Sequence, residues 1–451
     1  MTILDSFAMA FRRHPIQILL ELGYAGLLIV LAVGGFSRVA PGLLRVPDQT
    51  DFEIYYQAAR ALNLGQPLYV PDPPPATTPV PNYAPPGNFI KYQYRYPPVA
   101  AAIARPLAVL TASSAKGIWY LLNLVFLALA VALTCKLVGA PRPTTMLICF
   151  GISLAAPPVY DTLMLGQINL LLLLLIIAAI YAVTSAPVTL RSEVVAGVCM
   201  GVAAAIKIYP LFLGFVFIIH RRFVSLVSMV LTVALLGILG IIAGGGWPTT
   251  QTYLFEVLPN ISSVLEITPS NQNAQAVFAR LFSVNLMRFA VFTPDNLMTI
   301  SVPPIFQAPQ VGMILGIFSS GIILLTTIIA AARQAWRHRS REVILLHWSL
   351  LLITLLLITP TTWDHYYVLL LLPLAVLWIS PPSLWRYTRL TILIAGCLLV
   401  LHRYWRRIVL QTVSPLLMLF GFLGVLILWL TILWLMHRIT AQAKDVNTGG
   451  L

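Results

Sequence analysis

Residues 413 to 436 read VSPLLMLFGFLGVLILWLTILWLM, a stretch without one charged side chain. A helix of about 20 apolar residues crosses the roughly 30 Å hydrocarbon core of a bilayer. The stretch therefore predicts a membrane helix, closed by His437 and Arg438. Similar runs lie near residues 16–36, 117–138, 143–158, 167–184, 193–206, 208–220, 223–245, 309–332, 342–359, 365–380 and 387–401. Together they predict an all-α polytopic membrane protein of about 12 transmembrane helices. Residues 193–220 read either as two spans or as one helix broken near Lys207 and Pro210.

Composition agrees with the runs. Of 451 residues, 59% are hydrophobic and 9% are charged, whereas a soluble protein carries about 25% charged residues. A soluble enzyme is excluded, and so is a disordered chain, which needs low hydrophobicity and dense charge. The net charge of +14 would suggest nucleic acid in a soluble domain; in a membrane chain it reports topology and anionic lipid. No nucleic-acid partner is expected. Arg12 and Arg13 precede the first run, whose length and lack of a small-x-small cleavage site favour a retained span over a signal peptide. Cys135, Cys149, Cys199 and Cys397 all fall in apolar runs, so there is no disulfide framework and no zinc spacing.

Two gaps are too long to be turns, residues 37–116 and 246–308, and both follow odd-numbered spans. They share one face. Lys136, Arg142, Arg191, Arg221, Arg222, Arg333, Arg339, Arg386, Arg389 and Arg438 fall in short segments on the other face, which the positive-inside rule makes cytoplasmic. The HRYWRR cluster at 402–407 dissents. Acids sort more sharply, with Asp48, Asp51, Glu53, Asp72, Asp161, Glu256, Glu266, Asp295 and Asp364 outside. The expected organisation is one integral membrane domain over 1–451, with extracytoplasmic loops at 37–116 and 246–308. Residues 381–451 supply C-terminal membrane helices and a short cytoplasmic tail. Asp51 to Leu64 (DFEIYYQAARALNL) places Phe52, Tyr55, Tyr56, Ala59 and Leu62 at helical spacing, and Ala274 to Ala290 does so with Val277, Phe278, Leu281 and Phe282. Each predicts an amphipathic helix on the membrane surface.

Scarce charge makes each buried or loop charge informative. Asp51 starts the first surface helix, where an acid caps the helix for about 1 kcal/mol or serves as a base. Phe89 to Pro98 (FIKYQYRYPP) is a basic and aromatic strip, either an interfacial belt or a wall for a sugar and a lipid phosphate. Lys207 sits in AAAIKIYP (203–210), where an ionisable group costs a few kcal/mol and marks a water-filled cavity or an anion; snorkelling is the alternative. Gln167 and Asn169, in DTLMLGQIN (161–169), are helix–helix glue or ligand groups. Thr359 to Tyr367 (TPTTWDHYY) offers Trp363, Asp364 and His365 for anion binding or proton transfer. Asp48, Asp51 and Glu53 form no recognised cation loop, and no Gly-rich phosphate loop is present. Neither a metal nor another cofactor is expected.

The pieces resemble, in order, glycosyltransferase family 87, the polyprenyl-phosphate-sugar-dependent transferases of the GT-C superfamily. They are Asp51-Phe52 through Tyr55 with Gly65 and Tyr69; Tyr94-Arg95-Tyr96-Pro97-Pro98 with Pro106-Leu107; Gly166-Gln167-Ile168-Asn169; Ala205 to Pro210; Asn271-Gln272-Asn273 with Arg280; and Pro360 to Tyr367. Each piece is short, and the ordered set carries the resemblance. It implies a GT-C-like bundle with surface helices in two outer loops. It also implies transfer of a sugar, best known as mannose, from a polyprenyl-phosphate donor to a glycolipid or glycan acceptor, with inversion. By the same resemblance Asp51 is the catalytic base, Trp363 and His365 match the family's Trp-x-His, and Lys207, Tyr209 and Pro210 match its Lys-x-Tyr-Pro. Asn273 departs from the Ser commoner at its position. His365 joins Asp51 as a catalytic candidate. Lys207, Arg280, Arg95, Tyr209, Gln167, Asn169, Trp363 and Asn271 are the candidates for binding substrate and donor phosphate, with the arginines of 403–407 as further cations. The expected location is a bacterial plasma membrane, with membrane lipids as surroundings and the site facing outward. The competing reading is a lipid-linked-sugar transporter or flippase, which would show a midplane path reaching both faces. A structural subunit, the third reading, would leave Asp51 and Lys207 apart.

Overall fold

The computed structural model describes residues 15–72, 82–83, 91–283, 287–292, 297–337, 340–404 and 414–448. Arg12, Arg13, Phe89, Ile90, Asp295, Arg339, Arg406 and Arg407 lie outside the described residues, as does the Arg403 side chain. Among the described residues, seven helices are long and apolar enough to cross a membrane: Ala25–Leu44, Ala112–Leu137, Phe223–Ala243, Pro309–Trp336, Arg341–Ile358, Pro382–His402 and Pro415–Ile439. An eighth forms if Pro143–Ala155 and Pro157–Leu165 count as one span bent by 71°. The bend sits at Ala156, whose backbone is extended (ψ 127°) because a proline follows it. Of the about 12 expected, seven or, with the bent pair, eight are thus full-length by length and composition among the described residues. The other apolar runs are shorter helices, Asn169–Thr184, Leu190–Ile206, Tyr209–Ile219 and Asp364–Trp378. Protein covers Asn169–Thr184 and most of Asp364–Trp378, so bilayer thickness does not dictate their length; Asn169–Thr184 buries Leu170, Leu172, Leu173, Ile176, Ile177 and Ile180. Arg341–Ile358 is buried continuously from Leu345 through Leu357.

Residues 193–220 form two helical legs. Leu190–Ile206 ends at Lys207, whose backbone is extended (φ −133°, ψ 135°), and Arg222 returns to within 2.8 Å of Glu193. The chain thus goes out and back with Lys207 at the turn.

Charges divide by end. At the end away from Lys207, Arg222 pairs with Glu193, Arg341 donates to the Leu137 carbonyl at 3.0 Å, and Arg221 stands 5.3 Å over Trp336. His347 joins His220 (2.9 Å) and Gln334 (3.0 Å) at this end. At the Lys207 end lie the long loops. Helix Thr50–Asn63 buries Phe52, Tyr55, Tyr56, Ala58 and Ala59. The second expected surface helix is shorter than its apolar pattern: it runs Ala274–Leu281, and Met287–Phe292 pairs antiparallel with Leu297–Val302. The segments MRFAVF and LMTISV are rich in aromatic, β-branched and other apolar residues, which suit a ribbon. A second short pairing, Asn82-Tyr83 with Leu265-Glu266, joins the two long loops. Among the described residues the fold is thus a helical bundle with two small β-ribbons.

Candidate active site

Two backbone specials bring the site together. Gln49 adopts a left-handed conformation (φ 49°) that turns the chain into helix Thr50–Asn63 and sets Asp51 in its first turn. Gly166 has φ +69°, and a Cβ there would lie 2.6 Å from Phe52 Cβ and 2.8 Å from Gln49 Oε1. Only glycine meets both the dihedral and the space. The 166–169 turn consequently lies against the start of the surface helix, pinned by Trp119 Nε1 donating to the Gly166 carbonyl at 2.7 Å.

Gln167 is then the link. Its Nε2 donates to Asp51 Oδ2 at 2.6 Å, while its Oε1 accepts from the Tyr55 hydroxyl at 3.2 Å and from Lys207 Nζ at 3.4 Å. Lys207 also donates to Asn169 Oδ1 at 3.0 Å and to the Tyr366 hydroxyl at 3.5 Å. Its ammonium stands 4.7 Å from the Tyr366 ring centre, 5.3 Å from that of Tyr96 and 6.0 Å from that of Tyr209. Lys207 is only 5% exposed. An ammonium taken out of water needs compensation; neutral oxygens and aromatic faces provide part of it, and the Asp51 carboxylate is reached through Gln167. The Tyr209 hydroxyl in the same cluster is buried without a partner among the described residues.

Burial raises the Asp51 pKa from the usual 3.8, against the lowering effect of the Gln167 hydrogen bond and of the positive charges of Lys207 and Arg95. Glu53, two residues on, behaves oppositely. Lys116 at 2.8 Å holds its carboxyl below the usual range, with help from Gln57. The acids of the first surface helix therefore do not converge on one point.

His365 contributes by both backbone and ring. Its carbonyl accepts from Asn169 Nδ2 (3.3 Å) and Thr162 Oγ1 (3.4 Å), and its buried ring lies 6.0 Å from Trp363 and 5.0 Å from Tyr366, centre to centre. Asp364 pairs with His402 at 2.9 Å, which anchors this turn to helix Trp385–Tyr404.

The second loop is built differently. Arg95 pairs with Glu266 at 2.7 Å, and the Tyr92 hydroxyl donates to Glu256 at 2.9 Å. Asn271 Nδ2 donates to the carbonyls of Glu266 (2.6 Å) and Pro360 (3.1 Å), and its Oδ1 accepts from Thr362 N (2.9 Å). Arg280, fully buried, donates through Nη1 to the carbonyls of Thr268 (2.8 Å) and Asn271 (2.7 Å). Of the residues singled out in the sequence, Asp51, Gln167, Asn169, Lys207 and Tyr209 meet in one cluster with the His365 turn beside it. Asn271 and Arg280 instead brace the neighbouring loop, where Arg95 meets Glu266. Sequence reasoning did not select Tyr55, Tyr96, Tyr366 or Glu266. Tyr55 carried a signal, since it follows Asp51 by four residues on one helix face, and Tyr96 and Tyr366 adjoin chosen residues. Glu266 has no local pattern.

These contacts define a helical membrane protein with a carboxylate and a buried ammonium linked at one end of its bundle. Residues 94–360 match the model of glycosyltransferase family 87, and the chain belongs to that family. A protein of Mycobacterium tuberculosis (strain ATCC 25618 / H37Rv), the polyprenol-phosphate-mannose-dependent alpha-(1-2)-phosphatidylinositol mannoside mannosyltransferase, is 25% identical over 271 residues. That similarity covers 56% of this chain and 59% of the relative, so the chain spans less than two thirds of the relative's length. Arg95, Gln167, Asn169, Lys207, Tyr209, Asn271 and Arg280 fall inside the family match, whereas Asp51, Trp363 and His365 lie outside it.

Proposed function

We propose that the protein transfers a sugar, mannose, from a polyprenyl-phosphate-linked donor to a glycolipid or glycan acceptor, with inversion at the anomeric carbon. The family and the relative's printed name support the donor class and the sugar; the same name suggests a phosphatidylinositol-based glycolipid as acceptor. Asp51 takes the proton of an acceptor hydroxyl as that oxygen bonds to the anomeric carbon. The bond from that carbon to the phosphate oxygen breaks, and its electron pair leaves with the polyprenyl phosphate. Lys207 and Arg95 face the charge that grows on the phosphate, which is where fixed cations lower a barrier most. A carboxyl with a raised pKa suits the base, because proton transfer is most effective when the pKa approaches the operating pH.

Gln167 and Asn169 hold the ammonium in place, His365 and Trp363 flank the phosphate, and the Tyr96, Tyr209 and Tyr366 rings offer faces to the sugar. Asn271 and Arg280 hold the loop that carries Glu266. The reading needs no divalent metal, since Lys207 supplies the positive charge. The arginines at the opposite end of the bundle support an extracytoplasmic site through the positive-inside bias.

One observation carries the proposal: Gln167 hydrogen-bonds both Asp51 and Lys207, linking a base to a cation. A transporter requires a polar path through the bundle, and this cluster sits at one end. The test is transfer of radiolabelled mannose from a polyprenyl-phosphate donor by purified wild type and Asp51→Asn. The variant should lose at least about a hundredfold in rate; wild-type transfer by Asp51→Asn would overturn the base assignment.

A further inference from the structure

Far from Asp51, a groove of about 700 Å³ opens between helices Trp385–Tyr404 and Phe420–Thr448. Its walls are Leu390, Ile394, Ile427 and Leu430, and Thr431 Oγ1 donates to Thr391 Oγ1 at 3.3 Å across it. Gly424 explains the shape. A Cβ there would lie 3.1 Å from the Ala395 carbonyl, so the helices approach closely at that level, while Tyr387 and Trp434, 5.7 Å apart centre to centre, hold them open nearer the membrane boundary. Both helices are spans, and Leu390 and Leu430 are each 52% exposed, so the groove faces lipid.

Charge completes the feature. Arg386 stands 5.7 Å from the Tyr387 ring centre and Arg438 stands 5.7 Å from that of Trp434. Arg438 lines the groove beside Trp434, and Arg386 stands against the other ring of the aromatic pair, Tyr387. Arginine above an apolar cleft at a membrane boundary recognises an anionic headgroup with its chain below.

We propose that a membrane phospholipid with an anionic headgroup occupies this groove, its phosphate between Arg386 and Arg438 and an acyl chain along Leu390, Ile394 and Leu430. The site is separate from the proposed transfer chemistry yet mechanically joined to it. At its far end helix Trp385–Tyr404 carries His402, which holds Asp364 beside His365. At the start of helix Phe420–Thr448, Phe422 N donates to Gln272 Oε1 at 2.9 Å, next to Asn271. A lipid lying along the groove contacts both helices that carry these anchors.

The experiment is native mass spectrometry of the full chain in detergent, titrated with phosphatidylglycerol and with phosphatidylcholine of the same acyl chains. Wild type should bind one phosphatidylglycerol about fivefold more tightly than phosphatidylcholine. The Arg386→Gln/Arg438→Gln double variant, which alters exposed side chains and leaves the core intact, should lose the preference. Leu430→Trp, which fills the groove, should lose both lipids at that site. Equal binding of the two lipids by wild type, or a preference that survives in the double variant, would overturn the proposal. So would a wild-type dimer that Leu430→Trp dissociates, because the face would then be covered by a second copy of the chain.

Discussion

The Asp51 cluster and the Asn271–Arg280 loop use similar residues in opposite ways. Around Asp51, the charged groups are held by other side chains: Asp51 by Gln167, Lys207 by Gln167 and Asn169. Around Arg280 they bond to backbone, with Nη1 on the Thr268 and Asn271 carbonyls and Asn271 on those of Glu266 and Pro360. A side chain that holds backbone carbonyls fixes a loop and cannot release its partners without unravelling it. A side chain that holds another side chain can exchange that partner for a substrate. Charge alone does not distinguish an arginine for phosphate from an arginine for scaffold; the partner's identity does.

The largest expected effects test that difference directly. Asp51→Asn keeps the shape and a hydrogen-bonding amide, so it should lower transfer by about 10² to 10⁴ without lowering thermal stability. Lys207→Met comes next, at about 10² in rate, with Lys207→Arg recovering part of the loss. The cation also makes a chelator test informative: transfer should persist unchanged in EDTA, and a metal-restored loss would show that Lys207 is not the main countercharge. Arg280→Met should act on stability instead. It strands carbonyls in a buried loop at a cost of about 3 kcal/mol, read as faster thermal inactivation, while the rate per folded molecule stays near wild type. If Arg280→Met instead remained stable and raised the donor KM, the loop arginine would belong to the donor site and the contrast would fail.

The apolar runs made the helices legible because burial in lipid writes a one-dimensional signal. Their lengths were less legible: Asn169–Thr184 and Asp364–Trp378 read as spans, but neighbouring helices cover them, so the chain had no need to match the bilayer. The acid of DFEIYY, the lysine of AIKIYP and the Gln-Ile-Asn turn could each be singled out locally. Their meeting could not, since it depends on Gly166 lying against Gln49 and Phe52, a contact across more than 100 residues. Glu266 was invisible for the same reason: its partner Arg95 is on the other long loop. The helix expected to reach Ala290 failed where apolar spacing fits two periods at once, and strand pairing with Leu297–Val302 settled the choice.

The smallest effect is the dependence of both regions on pH, and Asp51 supplies the sign. Burial lifts its folded-state pKa above the usual 3.8, and Gln167, Lys207 and Arg95 offset this only in part. The folded protein therefore holds that proton more tightly than the unfolded chain does. Its contribution to stability is fully present below about 3.8 and is lost as pH rises through the folded value, after which it stays level. Asp51→Asn has no proton to lose, so its thermal midpoint should match wild type at the lowest pH and exceed it progressively as pH rises. Transfer needs the carboxylate and should rise over the same interval, placing its acid limb above the ordinary carboxylate range. Arg280→Met should leave that limb where it is, because it braces the loop and does not charge the base. Measuring rate and thermal midpoint across pH on the three proteins thus asks whether one group governs both curves; an acid limb at or below 3.8 would mean that the opposing charges outweigh burial at Asp51.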